Sequence, residues 1–175
     1  MLVGPLKPKA KFNPMLSETL TYHAAQISSL LNIAKTHVEQ LVLVSGGTWE
    51  TRTGLLQAAA SELGLKYADI GLPLAKELLN QSPTNRTLFL SGMIEKLVQE
   101  ANQGLALDKI EILFDPELHI DPFRFVRNLS HGHLILLAWP GIYESSKLIY
   151  AEPDHPEYRV YQTSDTIVYA LENAT

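Results

Sequence analysis

Apolar residues recur along this chain at two spacings, which predict a succession of helices and strands. A first helix is predicted over 18–36 behind the N-cap residue Ser17, because apolar side chains there lie three or four positions apart. Four apolar residues at 41–44 then predict a short buried strand that ends at Ser45. Helical spacing returns after a glycine turn and stops at Gly64, so a second helix follows the strand.

The rest of the chain continues this alternation. Further strands are predicted at 65–70, 105–107 and 134–138, and short closing strands at 147–151, 158–163 and 166–170. Further helices are predicted after Gly71, over 86–103, and behind Asp121-Pro122. This order predicts one three-layer α/β domain over 17–175, with a mainly parallel five-stranded sheet, strand 41–45 in its centre and helices on both faces.

The segment that joins strand 41–45 to the second helix is the main candidate for binding chemistry. A glycine-opened loop between a buried strand and a helix directs backbone N–H groups and the helix dipole towards one point, where an anion binds. Such a loop predicts ATP or ADP with Mg²⁺ as the ligand. The candidate nucleotide-binding residues are Gly46, Gly47, Thr48, Trp49, Glu50, Thr51, Arg52 and Thr53.

This segment keeps only part of the phosphate-loop consensus G-x-x-x-x-G-K-[ST]. Gly46 and Thr53 match, whereas Thr51 stands in place of the second glycine and Arg52 in place of the lysine. A β-branched threonine resists positive φ and adds a side chain where phosphate requires bare backbone. Arg52 keeps the positive charge, but a planar guanidinium does not reproduce the compact ammonium of lysine. These departures predict weak or partner-dependent hydrolysis.

An aspartate at the end of an apolar strand is the expected ligand of Mg²⁺ in such a fold, and two positions fit. If 105–107 is the strand, Asp108 is the metal carboxylate and Thr53 the second ligand. If 110–114 is the strand instead, the carboxylate is Asp115. We prefer Asp108, because Gly104 marks a helix end just before it and helical spacing follows it. Both aspartates also suit ordinary strand-end and turn positions.

A general base that activates water is not evident in either register. Lys109 follows Asp108 and Pro116 follows Asp115, at the position where a strong ATPase has a glutamate. Glu111 is a remote candidate for this role. The sequence therefore leaves the catalytic residue unassigned.

Composition adds mainly exclusions. The 175 residues include no cysteine, which excludes disulfides, thiol catalysis and cysteine-ligated zinc. A net charge of −5 disfavours a surface devoted to nucleic acid. No apolar run reaches the length of a membrane span and the N-terminus does not resemble a signal peptide, so we expect a cytoplasmic protein.

Two basic segments suggest partners. Residues 1–16 are predicted to form a flexible basic arm, in which Lys7, Lys9 and Lys11 either touch a phosphate backbone or acidic partner or are simply solvated. Arg124 and Arg127 either reach a phosphate of a neighbouring copy in a homo-oligomer or are exposed arginines of a solvated helix.

Several segments together resemble BrxF, a family of small P-loop components of the type 3 BREX bacteriophage-exclusion systems of bacteria. The resemblance spans about residues 18–170 and is carried by the glycine-loop strand and by 107–118, Asp121-Pro122, 138–141 and 155–159. It implies a RecA/AAA-like, P-loop NTPase-like fold. It also implies antiviral defence beside a BrxC-like ATPase, a PglZ-like protein and a DNA methyltransferase. A non-catalytic scaffold with a decayed nucleotide pocket is the alternative to a nucleotide-binding subunit.

Overall fold

Five short strands pair into a parallel sheet in the computed structural model, which describes residues 14–172. The strands of this sheet are β1 Leu41–Ser45, β2 Lys66–Asp69, β3 Leu105–Asp108, β4 Ile135–Ala138 and β8 Ile167–Ala170. A smaller antiparallel sheet contains β5 Ile142–Glu144, β6 Lys147–Tyr150 and β7 Arg159–Gln162. The helices are α1 Pro14–Ala34, α2 Trp49–Leu63, α3 Gly71–Leu78, α4 Pro83–Gln99 and α5 Pro122–Leu129. The predicted mixed α/β fold with a mainly parallel five-stranded sheet is confirmed.

The strand order of the large sheet is β2-β3-β4-β1-β8. β1 is therefore an interior strand, but the prediction that it is the central one is wrong, because β4 has that place. β1 pairs in parallel with β4 through Leu43 and Leu137, and with β8 through Leu43 and Val168. The predicted closing strand 166–170 is thus an edge strand of the large sheet, beside β1.

Both faces of β1 are buried, as the run of apolar residues predicts. Leu41 and Leu43 belong to the core that also contains apolar residues of α3, α4 and α5. Val42 and Val44 point to the other face and pack with residues of α1 and α2. Alternate side chains of one strand thereby hold helices on both sides of the sheet, which gives the three layers.

Some predicted boundaries differ from the structure. α1 begins at Pro14, so residue 17 lies inside the helix and not at the predicted N-cap position. α4 begins at Pro83, three residues before the predicted start, because proline suits a first helical position. Lys7, Lys9 and Lys11 of the predicted arm lie outside the described residues. No helix within 14–172 is both long and apolar enough to cross a membrane.

Candidate functional site

The chain leaves β1 through Gly46 and Gly47, which both adopt positive φ angles, 83° and 60°. Glycine adopts such angles without the steric cost that a Cβ imposes. Thr48 then caps α2, because its Oγ1 accepts a hydrogen bond from the backbone N–H of Thr51 at 3.2 Å. The loop between strand and helix therefore contains only residues 46–48.

Residues 49–53 of the candidate binding segment belong to α2, so Arg52 and Thr53 lie in the first turns of the helix. The N–H of Thr51 bonds to the Thr48 hydroxyl, and the N–H of Arg52 bonds to the Thr48 carbonyl at 3.1 Å. The backbone N–H groups of Thr51 and Arg52 are therefore already hydrogen-bonded within the chain and are not free to bind an anion. Thr51 favours this helical arrangement, since a β-branched residue accepts helical backbone angles but resists the positive φ that the glycine of the consensus permits.

Arg52 is folded back onto the loop that precedes it. Its side chain is buried, and Nη1 donates to the carbonyl oxygens of Gly46 at 2.9 Å and Gly47 at 3.2 Å. Burial lowers the pKa of the guanidinium, while the negative charges of Glu111, Asp108 and Glu50 oppose that shift. One arginine therefore fixes both positive-φ glycines.

Asp108, at the end of β3, is the acceptor for three neighbouring groups. The residue is buried, with 3% of its surface exposed. Oδ2 accepts hydrogen bonds from Thr53 Oγ1 at 2.6 Å and from the Tyr67 hydroxyl at 2.9 Å, while Oδ1 accepts from the Lys109 N–H at 2.8 Å. Burial, together with the hydrogen bond and charge of Asp108, raises the pKa of Tyr67 to about 12. Thr53 and Asp108, predicted from distant parts of the sequence, are thus in direct contact.

The alternative register for the metal carboxylate is wrong. Residues 110–114 form a 3-10 helix rather than a strand. Asp115 caps the next 3-10 helix, Pro116–Leu118, by accepting a hydrogen bond from the N–H of Glu117 at 2.9 Å. This is the turn role that the sequence also allowed for it.

A cavity of about 220 Å³ opens beside Thr53 and Asp108. It lies beyond the carboxyl ends of β3 and β4, where open parallel sheets bind ligands. Glu111, the remote candidate for a base, is exposed and belongs to its wall. The lining residues are Trp49, Arg52, Thr53, Gly71, Asp108, Lys109, Glu111, Ala138 and Pro140.

The remaining residues of the glycine segment face elsewhere. Gly47, Thr48 and Thr51 line a second cavity of about 360 Å³, with His23 and the end of β8. Glu50 is exposed. The eight predicted binding residues therefore do not surround one site, and the three that line the cavity beside Asp108 are Trp49, Arg52 and Thr53.

Three polar residues that line this cavity or contact its lining were not predicted as part of a site: Tyr67, Asp69 and Lys109. The Lys109 ammonium lies 4.7 Å from the centroid of the Trp49 ring and 3.5 Å from Asp69 Oδ2. Asp69 ends β2 as Asp108 ends β3, and the two residues are register partners in the sheet. An acidic residue near the end of a strand is a feature of the sequence that could have indicated Asp69. Tyr67 gave no such signal, since its contact with Asp108 crosses between strands.

Arg127 is engaged within its own chain. Its Nε and Nη2 donate to the two carboxylate oxygens of Glu39 at 2.6 and 2.9 Å, and this pair raises the pKa of Arg127. That pairing does not favour the arginine-finger interpretation for Arg127. Arg124 is exposed, and a homo-oligomer stays a prediction.

The residues around Asp108 fit a magnesium ion that is shared with phosphates. Within residues 14–172 no group of three or more His, Cys, Asp or Glu is arranged to hold a metal. Mg²⁺ requires fewer protein ligands, because one or two carboxylates and the phosphates of a substrate commonly hold it. The Thr53 hydroxyl and Asp108 carboxylate are hard oxygen donors, and they already meet at 2.6 Å.

Comparison with known proteins gives one distant structural likeness. No family model matches the chain, and no curated protein matches it. A solved structure of PCH-2 from C. elegans is similar to 93% of this chain, with 15% sequence identity and a TM-score of 0.47. This chain spans 44% of that one. A likeness at this TM-score is too distant to indicate a function.

Proposed function

We propose that this protein binds the phosphate groups of ATP or ADP, with Mg²⁺, in the cavity beside Asp108. The observation that carries the proposal is the 2.6 Å hydrogen bond from Thr53 Oγ1 to Asp108 Oδ2. It joins the helix after a glycine loop to the end of a buried parallel strand, the two places from which P-loop proteins hold Mg²⁺. Thr53 and Asp108 would hold the ion, and the bound ion would neutralise phosphate charge.

The size of the cavity limits what it encloses. Its volume of about 220 Å³ is below the roughly 300–1,000 Å³ of a pocket that buries a whole small ligand. Phosphates and a metal ion are the part of a nucleotide that fits inside. The base and sugar would then lie at the mouth, where the Trp49 side chain is 55% exposed. An exposed indole offers an apolar face to a base.

Binding without fast hydrolysis follows from the residues that face the cavity. Glu111 is the carboxylate on its wall besides Asp108, and the Asp108 oxygens already accept three hydrogen bonds. A general base must reach the attacking water at hydrogen-bond distance. Glu111 remains the candidate for that role in a slow or partner-assisted reaction.

Isothermal titration calorimetry with Mg²⁺-ADP and Mg²⁺-ATP tests this proposal. Thr53→Val removes the hydroxyl and should weaken binding by about tenfold or more, because the metal loses a ligand. Thr87→Val is the matched control. It removes a hydroxyl that donates to the Leu118 carbonyl at 2.6 Å and does not line the cavity. Absence of heat with the folded wild-type protein would contradict the proposal.

A scaffold with a closed phosphate loop is the second candidate, and Arg52 favours it. The guanidinium that replaces the loop lysine is directed at the carbonyls of Gly46 and Gly47. On this hypothesis the wild-type protein gives no heat with either nucleotide, and Thr53→Val leaves its biological activity intact. A folded Thr53→Val protein that loses activity would count against the scaffold.

We also propose the setting that the resemblance to BrxF implies, a bacterial antiviral-defence assembly. Its support is the set of motifs from the glycine-loop strand to 155–159. Co-expression with a BrxC-like ATPase, a PglZ-like protein and the methyltransferase of the same system, followed by affinity purification, tests it. Recovery of this protein alone, from cells in which the other components are soluble, would oppose the proposal.

A further inference from the structure

The glycine loop has no free lysine-like cation. Arg52 occupies the lysine position, but it is 8% exposed and its Nη1 donates to two loop carbonyls. A phosphate group beside Asp108 would also meet that buried carboxylate. A compact positive charge from another part of the chain would therefore add to the charges of Mg²⁺ and Arg52 in binding phosphate.

Lys109 brings such a charge to the cavity from the end of β3. Its side chain lines the cavity, and the ammonium is held by two contacts. One is the face of the Trp49 ring, at 4.7 Å, and the other is Asp69 Oδ2, at 3.5 Å. The contact with Asp69 is weak, because its distance exceeds that of a good hydrogen bond and both side chains are more than one third exposed. The contact with the ring is also weak, because Trp49 is 55% exposed. The ammonium is positioned but remains available to a stronger anion.

The backbone fixes this position at a steric cost. Lys109 adopts φ 56° and ψ 54°, a left-handed conformation that is uncommon for residues other than glycine. Gly71 leaves the space for it, since a Cβ there would lie 3.1 Å from Lys109 Cβ and 3.3 Å from its carbonyl oxygen. Strained residues of this kind persist where the surrounding structure determines them, often at ligand sites.

We infer that Lys109 is the phosphate-binding cation of this site and takes the place of the missing loop lysine. The inference rests on the proposed function, because it names the residue that neutralises the phosphate in the same cavity. An incoming phosphate draws the ammonium away from Asp69 and the Trp49 ring. Lys109 follows Asp108, at the position where a strong ATPase has a glutamate that activates water. In this protein the residue at that position binds the ligand instead.

Binding of Mg²⁺-ADP to wild-type protein and to Lys109→Met tests the inference. Calorimetry should show affinity weaker by about tenfold to a hundredfold in the variant, the usual effect of losing a hydrogen bond between charged groups. Lys109→Arg should recover part of the affinity. Lys76→Met, on α3 and outside this cavity, is the control and should bind like the wild type.

A second variant keeps the test valid if Lys109→Met does not fold. Asp69→Asn removes the carboxylate charge that competes for the ammonium, while its Oδ1 can still accept the hydrogen bond from the Gly71 N–H. We expect it to bind Mg²⁺-ADP several-fold more tightly than the wild type. Unchanged or weaker binding would overturn the inference.

Tryptophan fluorescence gives a readout that does not depend on activity. Trp49 is 55% exposed and Trp139 is fully buried, so an aqueous quencher reports on Trp49. Saturation with Mg²⁺-ADP should change Trp49 emission more in the wild type than in Lys109→Met, because only the wild type has an ammonium that leaves the ring, whereas a base at the mouth would affect both proteins alike. Equal affinity of wild type and Lys109→Met would overturn the inference and leave the proposed function intact. No binding by the wild type would overturn both.

Discussion

Gly141 follows the cavity-lining residue Pro140 at a point where two backbone segments touch. A Cβ at Gly141 would lie 1.7 Å from the carbonyl oxygen of Ile149, whereas a Cβ at Gly92 would meet nothing within 4 Å. We expect Gly141→Ala to lower the free energy of unfolding by about 2–4 kcal/mol, since backbone must move. Gly92→Ala, inside α4, should raise it by about 0.5–1 kcal/mol.

Urea unfolding of these two glycine variants measures both effects. The two substitutions add the same methyl group, so a loss of stability confined to Gly141→Ala comes from the approach of the Ile149 carbonyl. Similar stabilities for Gly141→Ala and Gly92→Ala would contradict the close approach of Gly141 to β6.

At the residue scale, the sequence predicted the two residues, Thr53 and Asp108, whose positions follow from the phosphate-loop pattern. Thr53 and Asp108 were recognisable because each has a place relative to a predicted strand or helix. Lys109 and Tyr67 were not assigned to the site. Their roles depend on contacts with residues that are distant in sequence, such as Trp49 beside the Lys109 ammonium. Periodicity and short motifs describe neighbouring residues only, so they do not predict such contacts.

Among the elements, α5 has a sequence signature that the structure confirms. Asp121 Oδ1 accepts a hydrogen bond from the N–H of Arg124 at 2.8 Å, and Pro122 begins the helix. Asp121→Ala should therefore lower the free energy of unfolding by about 1 kcal/mol. Ser82→Ala is the control, because the Ser82 side chain makes no capping hydrogen bond to α4. Thermal unfolding of both variants measures this, and equal losses would contradict the cap.

The elements also show where local patterns mislead. The start of α2 was not assigned from the sequence, because helical spacing is visible only from Leu55 onward, whereas Thr48 caps the helix earlier. The choice between the two registers near β3 was predicted correctly from Gly104 and the helical spacing of 110–114. A helix end and a periodic pattern depend on neighbouring residues, so they predict secondary structure more reliably than features that depend on tertiary contacts.

For the whole molecule, burial differs sharply between the three interior strands of the large sheet and two strands of the small sheet. Every residue of β1, β3 and β4 is buried, whereas β5 and β7 contain no buried residue. Backbone amides of β1, β3 and β4 should therefore exchange with solvent only through global unfolding, and amides of β5 and β7 through local opening. Hydrogen exchange followed by NMR measures this. Equal protection of β1 and β7 would be the contrary result.

Strand order belongs to the molecular scale and was the least predictable property. Local spacing identified most of the strands but gave no sign that β8 pairs with β1 rather than with β7. Parallel neighbours are joined by long connections, so their pairing is set by the packing of helices on the two faces. β5 was missed for a related reason, since a three-residue strand has too few positions to show alternation.

The pairing of β1 with β8 has a consequence for the newborn chain. The ribosome translates β1, at residues 41–45, well before β8, at residues 167–170, which is its neighbour on one side. At ~5–20 residues per second, that flank of β1 waits on the order of ten seconds for its partner. During this interval the unpaired edge of β1, with its free backbone N–H and C=O groups, is accessible to chaperones and to other nascent copies.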